Sequence, residues 1–149
     1  MKRKFDHPEQ FLAVVGAAAC LLISARIGQV VSGTQPIWPL PGLYLVEINI
    51  VSVLGLFGVL GNSSGRSSLR IGLTWAAVGI LLAFVLLGAW SIGPFFLPVV
   101  LIFVVAAILS GRRQGQNIFL HAGISFLAAV AQVALMLAAI QILYPSTIF

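Results

Sequence analysis

The stretch "RIGLTWAAVGILLAFVLLGAW" (residues 70–90) decides the fold. It carries one charge, at its first position, and then twenty uncharged, mostly apolar residues. An α-helix rises about 1.5 Å per residue, so about 20 residues cross the roughly 30 Å of hydrocarbon in a bilayer. An isolated strand could not satisfy its backbone there, so the run reads as a membrane-spanning helix.

The same pattern recurs along the chain. The apolar runs are 11–31, 42–60, 70–90, 94–110 and 118–143. The fourth is short and the fifth is long enough to tilt or project. Whole-chain composition agrees. Of 149 residues, 60% are hydrophobic and only 7% are charged, and the mean hydropathy is +1.13. A soluble domain has about a quarter of its residues charged. The expected fold class is therefore all-α: a polytopic integral membrane protein of five transmembrane helices, forming one transmembrane domain over residues 1–149.

The connections carry helix breakers. "SGTQPIWPLPG" (32–42) holds three prolines, and Pro39 and Pro41 favour an extended entry into the second span. "GNSSGRSS" (61–68) is a small polar loop. "SIGP" (91–94) is a tight turn that makes spans three and four a hairpin. "SGRRQGQN" (110–117) is the last loop. No connection is long enough for a soluble domain.

The net charge of +5 does not point to nucleic acid. The basic residues form short clusters between apolar runs and no continuous face. Lys2, Arg3, Lys4, Arg66, Arg70, Arg112 and Arg113 all flank the same ends of the spans, whereas the other loops carry none. The positive-inside rule then predicts a cytoplasmic N-terminus and an outside C-terminus. Trp38, Trp90 and Tyr144 fall at the expected outer boundary, where an aromatic belt belongs. The sequon-like "NSS" (62–64) falls inside by the same rule and reads as chance. The expected location is the plasma or inner membrane.

Two charges stand outside this scheme. Glu47 lies in "LYLVEINIV" (43–51), and Arg26 lies in span one. A charge at the centre of a spanning helix costs about 2.5–3.5 kcal/mol on insertion scales. Arg26 lies about 22 Å beyond Phe11, hence about 8 Å below the outer edge, and Glu47 lies about 8 Å below it on the return helix. Equal depth on consecutive antiparallel helices predicts an Arg26–Glu47 ion pair. Gln29 shares a face with Arg26, and Tyr44 shares one with Glu47. Gln132, about 20 Å into span five, is the third-helix contributor to this polar cluster. The plain reading of the pair is a clasp between helices. The sharper one is a site where Glu47 binds a proton or cation, or where Arg26 holds an anionic group.

Other residues read as structural. Gly16, Cys20, Ser24 and Gly28 form a small stripe on the opposite face of span one, suited to close packing. Cys20 is a packing residue within it. The apolar run before Cys20 is too short for a lipobox, and no cleaved leader is expected. Asn49 and Ser52 are expected to make interhelical hydrogen bonds, and His121 to be an interfacial structural histidine. Trp75 is lipid-facing or packed. The repeated Gly-Arg loops, "SSGRSS" and "LSGRRQ", read as a by-product of charge topology rather than a duplication.

The opening "WPLPGLY" (38–44) resembles the start of the second helix in the tryptophan-rich sensory proteins. The tryptophan and asparagine of that family's later helices are missing, with only Trp75 and Trp90 in span three, so the chain is not assigned to it. No H-E-x-x-H, G-x-S-x-G or C-x-x-C occurs. No catalytic residues, metal or cofactor are expected. The functional expectation is a small non-catalytic accessory or structural subunit, packed against a larger membrane complex through an apolar surface on spans three and four. The alternative is a small transporter or ligand- or ion-binding bundle built on the Arg26/Glu47 cluster. Expected partners are the lipid bilayer and other membrane subunits or further copies of the chain.

Overall fold

The computed structural model describes residues 7–33, 40–60, 67–89 and 91–143. They form five helices: α1 (Pro8–Ser32), α2 (Leu40–Leu60), α3 (Ser67–Leu87), α4 (Gly93–Arg113) and α5 (Ile118–Leu143). There is no strand among the described residues. All five helices are long and apolar enough to cross a membrane. Lys2, Arg3, Lys4, Trp38, Pro39, Arg66, Trp90, Tyr144 and the "NSS" stretch lie outside the described residues.

Helix ends follow local chemistry. Pro8 opens α1 at a position whose N–H needs no partner. The expected fourth span stopped at Ser110, but α4 runs three residues further. Hydropathy marks where apolar residues stop, whereas the helix stops where its backbone is capped. That cap is Gly115, at φ +63°, with Gln116 N–H donating to Gly111 C=O (3.0 Å) and Gly115 N–H to Arg112 C=O (3.2 Å). At the other end of α4 the expected tight turn is present. Ser91 and Gly93 both donate to the Gly88 carbonyl, at 2.9 and 2.8 Å.

Helices α1 to α4 close into a ring. α1 packs on α2 and α4, and α3 packs on the same two neighbours. α5 stands outside the ring against α3. Half of α3's most apolar window is buried, against 6% for α5. Apolar surface is exposed on spans three and four, as at Leu82 and Leu86 and at Phe95 and Leu101, but α5 is barer than either. Hydropathy ranks helices by composition and is blind to which one ends up outside the ring.

Sorting within the bundle is by size more than polarity. α1 turns Ala13, Gly16, Ala17, Cys20 and Ser24 inward and leaves Phe11, Leu21, Leu22 and Val30 outside. The expected packing stripe on span one is thus borne out through Ser24. α4 supplies the bulk that fills the space, with Phe96, Val99, Val100 and Phe103 buried. In lipid the outside is as apolar as the inside, so close approach of small residues is what selects a packing face. α3 meets α5 the same way. A Cβ at Gly79 would run into the Ser125 carbonyl. This contact sets the α3–α5 spacing.

Gly79→Val should therefore lower stability in detergent unfolding by about 1–3 kcal/mol, as overpacking does. Gly123→Ala, where an added Cβ meets nothing within 4 Å, should stay within about 0.5 kcal/mol of the parent. Equal effects at the two positions would refute the Gly79–Ser125 contact as the spacer.

Candidate functional site

The polar groups of the outer-half cluster are all found on the helices expected, but they choose different partners. Gln132 Nε2 donates to Glu47 Oε1 at 2.8 Å, linking α5 to α2. Gln132 is buried and Glu47 half-buried. Tyr44 Oη donates to the Phe84 carbonyl at 2.7 Å, and its ring meets the Phe84 ring edge-on at 4.8 Å. It clasps the start of α2 to the end of α3. Phe84 is a partner that composition could not single out.

The predicted Arg26–Glu47 ion pair is not formed: the two make no salt bridge within 4.0 Å, and each carries a different hydrogen bond. Arg26 is exposed, and its Nη1 donates to Gln29 Oε1 at 3.4 Å on the same helix. The cause is rotation. Each helical residue turns about 100°, so Arg26 stands about 200° round from Ser24. Ser24 is buried in the ring, so Arg26 points away from it. Equal depth was not enough, because α1 is rotated by its small residues.

Other expectations shift in detail. Cys20 Sγ lies 3.8 Å from the Ile48 carbonyl and 3.7 Å from Asn49 Oδ1, so the thiol sits against α2. Asn49 Nδ2 donates to Leu45 C=O (2.8 Å), and Ser52 Oγ to Asn49 C=O (2.9 Å), both within α2. Only the weak Cys20 contact makes Asn49 interhelical. Short polar side chains satisfy themselves on their own backbone where no water competes. His121, in the first turn of α5, is buried, with Nδ1 donating to the Asn117 carbonyl at 2.8 Å. Trp75 is packed, and its Nε1 has no hydrogen-bond partner among the described residues.

A second polar site was missed by the sequence reading. Glu9, in the first turn of α1, is buried at 4% exposure. Arg113 Nη1, in the last turn of α4, donates to Glu9 Oε1 at 2.7 Å. His7 Nδ1 lies 3.5 Å from the same oxygen and also contacts Arg113 Nη1. A carboxylate at a helix N-terminus and an arginine at a C-terminus each oppose the local dipole end. In the sequence Arg113 reads only as a flanking charge, and Glu9 as an acid near the N-terminus. The available signal was their position, since both fall at the same end of the spans.

Comparison with protein-family models, curated protein sequences and solved structures gives no significant match. The residues and their geometry are therefore the whole basis for a functional reading.

Three double-mutant cycles check this arrangement. Arg113→Gln strands a buried carboxylate and should cost about 1–3 kcal/mol of stability. Together with Glu9→Gln it should show a coupling of at least about 0.5 kcal/mol, and zero coupling would refute the pair. Glu47→Gln with Gln132→Leu should also couple, at about 0.6–1.7 kcal/mol. Glu47→Gln with Arg26→Gln should simply add within about 0.5 kcal/mol.

Proposed function

We propose that the chain is a non-catalytic accessory or structural subunit, embedded in the cell membrane and packed against a larger membrane protein complex. One observation carries this reading. The polar groups that meet across helices do so in clasps: Glu9 with Arg113, Tyr44 with the Phe84 carbonyl, and Glu47 with Gln132. A scaffold role uses polar chemistry in that way, to fix one arrangement of helices.

The docking face is α5. Its buried residues among those described are His121 and Gln132, while Phe119, Phe126, Leu127 and Ile142 stand more than 60% exposed. Lipid alone can cover such a face, but a helix packed mainly on α3 has room for a partner on its other side. Orientation rests on charge. Arg70, Arg112 and Arg113 share the end of the bundle that holds Glu9, and Lys2, Arg3, Lys4 and Arg66 flank that end in the sequence. The N-terminus is accordingly cytoplasmic and the C-terminus outside.

The second reading, a small transporter or ligand-binding bundle, drew its support from Arg26 beside Glu47. With these charges on different partners, it keeps only the Glu47–Gln132 pair.

Purification of the full chain in mild detergent tests the proposal. A stoichiometric set of other membrane proteins should co-migrate with it. A homo-oligomer alone would overturn the accessory role.

A further inference from the structure

The outer face of α1 holds a recess of about 450 Å³. Leu22, Ile23, Ile27 and Val30 line it on α1, and Ile92 and Phe95 line it from the start of α4. The recess surface is wholly apolar, and Arg26, its one charged neighbour, lines it with the stem of its side chain. Its guanidinium offers five N–H donors. One of these reaches Gln29 at a long 3.4 Å, and no carboxylate among the described residues lies within 4.0 Å.

We propose that this recess is an anionic phospholipid site, in which an acyl chain lies between α1 and the start of α4 while Arg26 holds the phosphate. The proposal needs the bundle to sit in a bilayer but needs no partner protein.

Charge and depth both fit this occupant. Arg26 is six residues, about 9 Å, from the end of α1. A long arginine side chain at that depth extends towards the headgroup layer, with its stem along apolar surface. A lipid phosphate there meets a cation with free donors, and charge-assisted bonds to guanidinium are among the strong ones.

Charge argues for a lipid over an apolar protein helix, which would cover the Arg26 guanidinium with no anion to meet it. The recess, at about 450 Å³, lies within the roughly 300–1,000 Å³ typical of small-molecule sites. A negative headgroup is favoured over a zwitterionic one because the latter brings its own ammonium to the phosphate.

The test uses the full chain in detergent, titrated with phosphatidylglycerol or phosphatidylcholine of identical acyl chains. Native mass spectrometry counts bound lipid, and thermal unfolding reads stabilisation. The parent should retain phosphatidylglycerol about tenfold better than phosphatidylcholine, the effect of one charge-assisted contact. Arg26→Gln should abolish the preference, and Arg26→Lys should keep part of it. Ile27→Trp, which fills the recess and spares Arg26, should weaken both lipids. Glycerol phosphate alone should give no stabilisation. Equal retention of the two lipids by the parent overturns the proposal, as does a preference that survives Arg26→Gln. Full stabilisation by glycerol phosphate would also overturn it, because the recess would then contribute nothing. If Arg26→Gln fails to accumulate, unaltered lipid binding by Ile27→Trp overturns it instead. Co-migrating subunits, present or absent, do not alter these outcomes, so this inference and the accessory role fail separately.

Discussion

The ring of four helices depends on one aromatic ring and the two glycines beside it. Phe103 of α4 is fully buried. A Cβ added at Gly16 of α1 would lie 3.1 Å from one edge of its ring, and one at Gly55 of α2 would lie 3.0 Å from the other. The phenyl group therefore occupies the centre of the bundle because both facing positions lack a side chain. Interiors packed to this density cannot absorb an extra methyl without moving something. The rotation of α1 about its axis follows from this contact. So does the direction of everything else on α1, including the outward turn of Arg26. A side chain in the middle of one helix decides which residues of another can meet.

Polar contacts then fix the bundle at its two ends and add the fifth helix. Near the basic end, Arg113 holds Glu9, so the last turn of α4 is tied to the first turn of α1. At the opposite end, Tyr44 ties α2 to the Phe84 carbonyl beside the Gly88–Gly93 turn. Between them the contacts are almost wholly apolar. α5 is attached by a close backbone approach at Gly79 and by the Glu47–Gln132 hydrogen bond. The carboxylate at 47 thus serves the helix most in need of a specific anchor. Apolar contact alone gives little preference between a protein neighbour and lipid.

The sequence disclosed axial positions well and rotations poorly. Rise per residue is a constant of the helix, so depth could be computed, and it placed Glu47 and Gln132 at levels where they do meet. Rotation depends on which small residues find which large ones across the bundle. Composition does not state that pairing. The stripe Gly16, Cys20, Ser24 carries part of that information, because a packing face directed at α2 and α4 leaves Arg26 pointing elsewhere. Glu9 was overlooked for a different reason. An acid beside a basic N-terminal cluster looks like a solvated flank, and only the length of α4, extended by the Gly115 cap, brings Arg113 to it.

The two outward-facing features of the bundle do not compete. α1 and α3 occupy opposite corners of the ring, since each packs on α2 and α4 and they do not pack on one another. α5 covers the outer side of α3, and the Arg26 recess lies on the outer side of α1. A partner seated on α5 would therefore leave the recess in lipid. The chemistry of the two faces matches that division. The α5 face is apolar and long, suited to another helix. The α1 face is short and carries a cation, suited to a ligand with one charge and a tail. A protein of this shape can be held to a larger complex on one side and to the surrounding lipid on the other, with the Phe103 contact fixing the angle between them.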